Sequence, residues 1–182
     1  GSFYFVMNDC LYVGSGYEYL TMKNYLWCYY PEEDRWVRLN DLPGDNRFGP
    51  AGCSDGEKAF YGSGFKAVCM NDWWEYDVIK DSWRERRSIP GKRVKGTALA
   101  VGNRFFVSSG RYFNGKYNLI NPGKLYNDIL EYEPARNRWH HRGEIPGGPR
   151  ENALSFVIEN KAYIGFGEND EGVLNDLWCF EP

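Results

Sequence analysis

The sequence predicts an all-β chain of repeated four-stranded antiparallel units, and three marks that keep step with one another predict it. The first is the stretch Asn127 to Trp139, N-D-I-L-E-Y-E-P-A-R-N-R-W. It returns as N-Y-L-W-C-Y-Y-P-E-E-D-R-W at Asn24 to Trp36, as N-D-W-W-E-Y-D-V-I-K-D-S-W at Asn71 to Trp83, and as N-D-L-W-C-F-E-P at Asn175 to Pro182. Its central aromatics, Tyr29, Tyr76, Tyr132 and Phe180, lie 47, 56 and 48 residues apart. The second mark is a small-residue corner after a short aromatic and β-branched run: Gly14-Ser15-Gly16, Gly62-Ser63-Gly64, Ser108-Ser109-Gly110 and Gly165-Phe166-Gly167. The third is an arginine 15 residues ahead of that corner, at Arg47, Arg93 and Arg150. A fixed period in this range is the signature of a repeat architecture.

Within each unit, short aromatic or β-branched runs bounded by Gly, Asn and Asp read as strands joined by hairpins. In the first unit these are Phe3 to Met7, Leu11 to Val13, Leu26 to Tyr30 and Arg35 to Leu39. In the last they are Ala153 to Ile158, Ala162 to Phe166 and Leu177 to Phe180, with Asn160-Lys161 as the first turn. Asp34, Asp81 and Asn137 stand two residues before a tryptophan, where an Asx side chain can close the turn between third and fourth strands. Four antiparallel strands in about fifty residues describe a propeller blade. The units run over about residues 3–42, 43–89, 90–145 and 146–182, the last without its outer strand. Ring closure normally hides such an edge, so the 1–182 region is expected to be a segment of a larger, six- or seven-bladed propeller. A closed four-bladed ring is the alternative.

On these residues the chain resembles kelch repeats over Phe3 to Pro182. The Tyr and Trp positions of the kelch pattern are met, while its glycine doublet is replaced by G-S-G, G-F-G or S-S-G. With Pro-Gly before the arginine and an N-D-x-W-E-Y strand, this variant is similar to bacterial kelch proteins, including relatives of sialic acid mutarotases and the propeller of galactose oxidase. That resemblance implies a periplasmic or secreted location; a cytoplasmic one stays open, because the leading Gly1-Ser2 reads as a cloning scar that would have replaced any targeting segment.

Composition narrows the function classes. A net charge of −3 without a basic cluster argues against a nucleic-acid partner or an anionic membrane surface. Apolar runs of only a few residues give no transmembrane helix. Five cysteines without C-x-x-C spacing indicate neither a disulfide framework nor a zinc site. No cofactor and no metal are expected. A copper-radical oxidase needs histidine ligands near the axis, and the only histidines, His140 and His141, adjoin on an outermost strand and point to opposite faces.

The repeated Tyr and Trp side chains read as packing between blades, since each large ring can bury about 150–250 Å². Function is expected on one face of the disc, where the loops from second to third strand emerge together with the loops between blades. The loop Arg111 to Tyr126 is about nine residues longer than its counterparts and carries Arg111, Tyr112, Phe113 and Tyr117, a composition suited to stacking and hydrogen bonding. Arg47, Arg93 and Arg150 precede the innermost strands, where a ring of guanidinium forks would favour an anionic ligand; the competing reading has them bonded to neighbouring carbonyls. Glu168 is the candidate proton-transfer residue. The function expected is a binding or interaction module taking a protein or glycan on the loop face. The alternative, implied by the resemblance, is a carbohydrate-acting enzyme of the sialic acid mutarotase kind.

Overall fold

The computed structural model describes residues 1–114 and 123–182. Its strands gather into four antiparallel blades, each a meander whose first strand is innermost. The first blade is built from Phe3–Met7, Cys10–Gly14, Leu26–Tyr30 and Arg35–Arg38. The second takes Ala51–Ser54, Ala59–Gly62, Trp73–Asp77 and Ser82–Arg86. The third takes Thr97–Val101, Arg104–Ser108, Asp128–Glu133 and Arg138–Glu144. The fourth has Leu154–Ile158, Lys161–Gly165 and Leu177–Phe180, with no fourth strand among the described residues. Three short ribbons rise from the loops between second and third strands: Tyr17–Glu18 with Thr21–Met22, Arg111–Tyr112 with Lys124–Leu125, and Glu168–Asn169 with Gly172–Val173. Among the described residues no helix is long and apolar enough to cross a membrane.

Side chains alternate across each pleated strand, so every blade has two faces, and the cores form where faces of successive blades meet. Phe3, Phe5, Tyr12 and Leu26 of the first blade pack on Tyr61 and Tyr76 of the second. Phe60 and Trp73 of the second meet Phe105, Leu130, Tyr132 and Trp139 of the third. Leu99, Phe106 and Ile129 of the third meet Ala162 and Ile164 of the fourth. The inner strands pack side by side in the same succession. The far face of the first blade keeps Tyr4, Trp27 and Trp36 exposed, and that of the fourth keeps Leu154, Ile158 and Leu177 exposed. Among the described residues, then, the four blades make an open arc and not a closed four-bladed ring.

Strand placement differs from expectation by single residues. The last hairpin turns at Glu159-Asn160, both left-handed, and the next strand begins at Lys161. The Asx positions do more than close a turn. Asp34, Asp81 and Asn137 adopt left-handed φ and accept a hydrogen bond from the hydroxyl of Tyr29, Tyr76 and Tyr132, each at 2.8 Å. Burial, with Asp81 beside it, pushes the Tyr76 hydroxyl well above the usual tyrosine range, so it remains a donor. The corner needs glycine for space at Gly62, where a Cβ would collide with the Asp72 carbonyl oxygen. In all four corners the middle residue is left-handed, Ser15, Ser63, Ser109 and Phe166 alike.

Candidate functional site

Each repeat arginine is a fastener inside its own blade. Arg47, Arg93 and Arg150 are at most 1% exposed. Their Nη1 groups donate to the carbonyls of the corner residues Ser63, Ser109 and Phe166 at 2.9, 3.1 and 3.2 Å. The same nitrogens reach Oδ1 of Asp72, Asp128 and Asp176 at 2.6, 2.7 and 2.5 Å. Arg93 and Arg150 add a second bond from Nη2 to the other carboxylate oxygen, both at 2.8 Å. The expectation of forks lining the channel mouth is corrected here: a buried guanidinium requires a carboxylate partner, and each already has one. Each aspartate is the second residue of the N-D pair that opens the repeated stretch, a mark that carries no sign of its ionic role.

The channel itself is a cavity of about 590 Å³ between the four inner strands, bordered by side chains such as Tyr4, Ser54, Thr97, Ser155 and Val157. Among the described residues no arginine or lysine borders it. At the loop face its mouth is laced by backbone bonds that run from blade to blade. Gly49 N–H donates to Gly1 (2.9 Å), Lys95 N–H to Gly49 (2.8 Å) and Asn152 N–H to Lys95 (2.9 Å).

Two arrays lie on this laced face. The first is a row of rings crossing three blades: Tyr17 to Phe48 (5.6 Å), Phe48 to Phe65 (5.6 Å) and Phe65 to Phe113 (4.8 Å). Phe113 is buried with Cys69 and Val94, and Tyr112 is half-buried against them. The long third-blade loop therefore folds part of its aromatic load onto the disc; Tyr117 lies outside the described residues. The first-blade ribbon stands free at the other end, its tip residues Tyr19 and Leu20 being 94% and 97% exposed. Both are left-handed, with φ of 46° and 66°.

The second array is charged and joins the third and fourth blades. Arg111 is buried and bonds through Nε to Glu151 (3.0 Å) and through Nη2 to Asp170 (2.8 Å). Burial alone would lower the pKa of Arg111, but Asp170 and Glu151 more than offset it and hold the guanidinium above its ordinary value. Lys95 Nζ sits 3.3 Å from Glu151 and 3.8 Å from Glu168. Glu168 also accepts from Asn152 Nδ2 at 2.8 Å, and its side chain is 44% exposed. The structure thus brings Arg111, Tyr112, Phe113 and Glu168 to one face and leaves Arg47, Arg93 and Arg150 beneath it. Sequence reasoning missed Lys95, Glu151 and Asn152. The last of these shares with Lys95 a signal that was present: each follows a repeat arginine by two residues and turns left-handed where the loops lace together. Glu151 follows Arg150 directly, is bridged to Glu168 through its backbone and reaches Arg111 through its side chain. Chemically, the array offers donors and acceptors fixed by a buried ion pair, next to a strip of rings.

No protein-family model matches the sequence. The chain is similar to Kelch-like protein 35 of Mus musculus, 24% identical over 155 residues, covering 85% of this chain and 25% of the relative. It is similar to N-acetylneuraminate epimerase 1 of Escherichia coli O6:H1, 23% identical over 200 residues, covering 92% of this chain and 53% of the relative. Kelch repeat and BTB domain-containing protein 2 of Homo sapiens is 26% identical over 158 residues, covering 77% of this chain and 23% of the relative. Among solved structures it resembles the structure of YjhT, with a TM-score of 0.81 at 16% identity, over 99% of this chain and 62% of the other. The chain spans from about a quarter to about half the length of the curated relatives it matches.

Proposed function

We propose that this kelch-type β-propeller chain is a binding module whose loop face recognises another protein, or a glycan displayed on one. The observation that carries the reading is the first-blade ribbon. Its two bulky tip residues are almost wholly exposed and both sit in the left-handed region, a conformation that Asn-Gly would adopt with far less strain. A sequence that breaks a local rule without a packing gain does so most often at a functional site. The ring row and the Arg111–Glu151 array continue the same surface, and rigid rings beside fixed polar groups give contact area at low entropic cost. Kelch-repeat relatives support the reading of an interaction module.

The test is site-specific photocrosslinking in the cell type that produces the protein. A photoreactive residue at position 19 is compared with one at Glu57, in the turn between first and second strands on the opposite face. A discrete adduct from position 19 that is missing from position 57 supports loop-face recognition. Identical adducts from both positions, or none from either, refute it. The similarity to N-acetylneuraminate epimerases supports a second reading, anomer interconversion of a carboxylated sugar with Glu168 moving the proton. It is the weaker of the two, because the repeat arginines needed for the sugar carboxylate are closed into pairs.

A further inference from the structure

The repeat marks one rim position where the second blade departs from its neighbours. Just past the fourth strand, the backbone N–H groups of Leu42, Ile89 and Ile145 donate to the carbonyls of Asn24, Asn71 and Asn127, each at 2.7 Å. These equivalent bonds align the three blades residue by residue. The residues immediately before them are Asp41, Ser88 and Glu144. The first and third blades thus place a carboxylate here, and each carboxylate has a partner. Asp41 pairs with Arg38, and Glu144 accepts from Asn127 Nδ2 at 2.9 Å. The second blade offers a serine hydroxyl instead, exposed in the segment that follows the strand Ser82–Arg86. Arg84, Arg86 and Arg87 lead up to it, with only Glu85 among them. Among the described residues that strand pairs on one side only, with Trp73–Asp77, so the approach to Ser88 has an open edge.

Beside Ser88 a cleft of about 340 Å³ on the outer rim is lined by Arg87, Pro90, Arg138 and Trp139. Its frame is part of the repeat. Arg87 N–H donates to Asn137 Oδ1 at 2.8 Å, as Asn40 N–H donates to Asp81 Oδ2 at 2.8 Å one junction earlier. The Trp139 indole N–H adds a bond to the Arg87 carbonyl at 2.8 Å. The charges are not part of the repeat, because Arg87 and Arg138 stand where the earlier junction has Asn40 and Ser82. Glu133, opposite Arg138 in the sheet, is taken by Arg136 at 2.8 Å and His140 at 3.2 Å. Among the described residues neither Arg87 nor Arg138 has a carboxylate partner. We propose that Ser88 is a phosphorylation site whose phosphate supplies the anion that the other blades build in, held between Arg87 and Arg138. In the transfer, Ser88 Oγ bonds to the γ-phosphorus of a nucleoside triphosphate and the bond from that phosphorus to its bridging oxygen breaks. The nucleoside diphosphate leaves, and the hydroxyl proton passes to the base of a protein kinase that reads the preceding arginines. The product carries a charge of about −1.5 to −2 near pH 7 and three acceptor oxygens, which suit guanidinium forks. Because the two arginines belong to different blades, the modified serine ties the outer ends of the second and third blades together.

The site stands on the outer rim, apart from the first-blade ribbon, and either reading can fail alone. Phosphoserine is installed at position 88 of the whole chain by genetic encoding, and its second ionisation is followed by phosphorus NMR. The reference is a synthetic peptide of residues 84–90, R-E-R-R-S-I-P, phosphorylated at the same serine. The peptide keeps the preceding arginines and lacks Arg138, so the comparison isolates the cleft. Expected is a second pKa at least about half a pH unit below that of the peptide, with most of the difference lost in Arg138→Gln. Arg138 is exposed, so that substitution leaves the fold intact. Phosphopeptide mapping of the chain recovered from the cells that produce it, with phosphatases inhibited, should find phosphate at Ser88 and none there in Ser88→Ala. Three results would overturn the inference: equal titration in chain and peptide, no response to Arg138→Gln, or chain from those cells that is unmodified at Ser88.

Discussion

The most exposed consequence of the ribbon geometry is a trade of stability for surface. Replacing Tyr19 by Asn and Leu20 by Gly keeps the two-residue turn between Glu18 and Thr21. A bulky L-residue held in the left-handed region costs about 1–2 kcal/mol, and two such residues stand in series, at φ 46° and 66°. With side chains 94% and 97% exposed, almost no packing is lost on replacing them. Glycine returns about 0.5–1 kcal/mol through its greater freedom when unfolded. Asn still pays part of the left-handed cost, so the net expectation is a gain of about 1–2 kcal/mol. For a chain of this length that raises Tm by about 2–8 °C. The assay is reversible denaturant unfolding with an unchanged m-value, backed by a thermal scan. An equal or lower midpoint would refute the reasoning, because it would show Tyr19 and Leu20 to be holding the ribbon together and not burdening it. If the midpoint rises while the position-19 contact is lost, the strain is retained for binding.

Two further outcomes follow from the fasteners. Arg93→Met removes the partner of Asp128 while leaving the volume filled, and should cost about 3–5 kcal/mol by denaturant unfolding, as for other broken buried pairs; a loss below about 1 kcal/mol would mean the carboxylate reaches water unaided. The Arg150 guanidinium beside Asp176, helped by the Trp178 indole N–H, holds that carboxyl at a pKa of about 2. Since the folded value lies below the unfolded one, the pair's contribution is fully present above about pH 4 and is lost as pH falls towards 2. Asp176→Asn should flatten the stability profile across that window, measured as denaturant midpoint against pH.

What could be read in advance follows from how far apart in sequence the responsible groups lie. Strands such as Phe3–Met7 and Leu26–Tyr30 were legible residue for residue, because alternation and turn residues act within a few positions. The packing of Tyr76 and Trp83 was legible because the repeat supplied three copies of one environment. The arginines were misplaced for the opposite reason. A guanidinium chooses its carboxylate through space, and Asp128 lies 35 residues beyond Arg93. The N-D pair was read as part of a strand pattern and not as an ionic partner. Glu151 and Lys95 escaped because their meeting with Arg111 depends on loops from different blades touching at the axis, which no local pattern encodes.

The fasteners have a consequence at the scale of descent. Arg47 and Asp72, Arg93 and Asp128, and Arg150 and Asp176 each fall inside one blade, whereas neighbouring blades meet through apolar faces. A blade is thus a cassette that carries both halves of its own ionic latch. Duplicating or deleting one copies or removes that neutral pair and orphans no latch arginine; the buried Arg111–Glu151 pair between the third and fourth blades is the exception. Apolar faces tolerate a new neighbour of similar volume, so a change by whole units disturbs the latches of the remaining blades least.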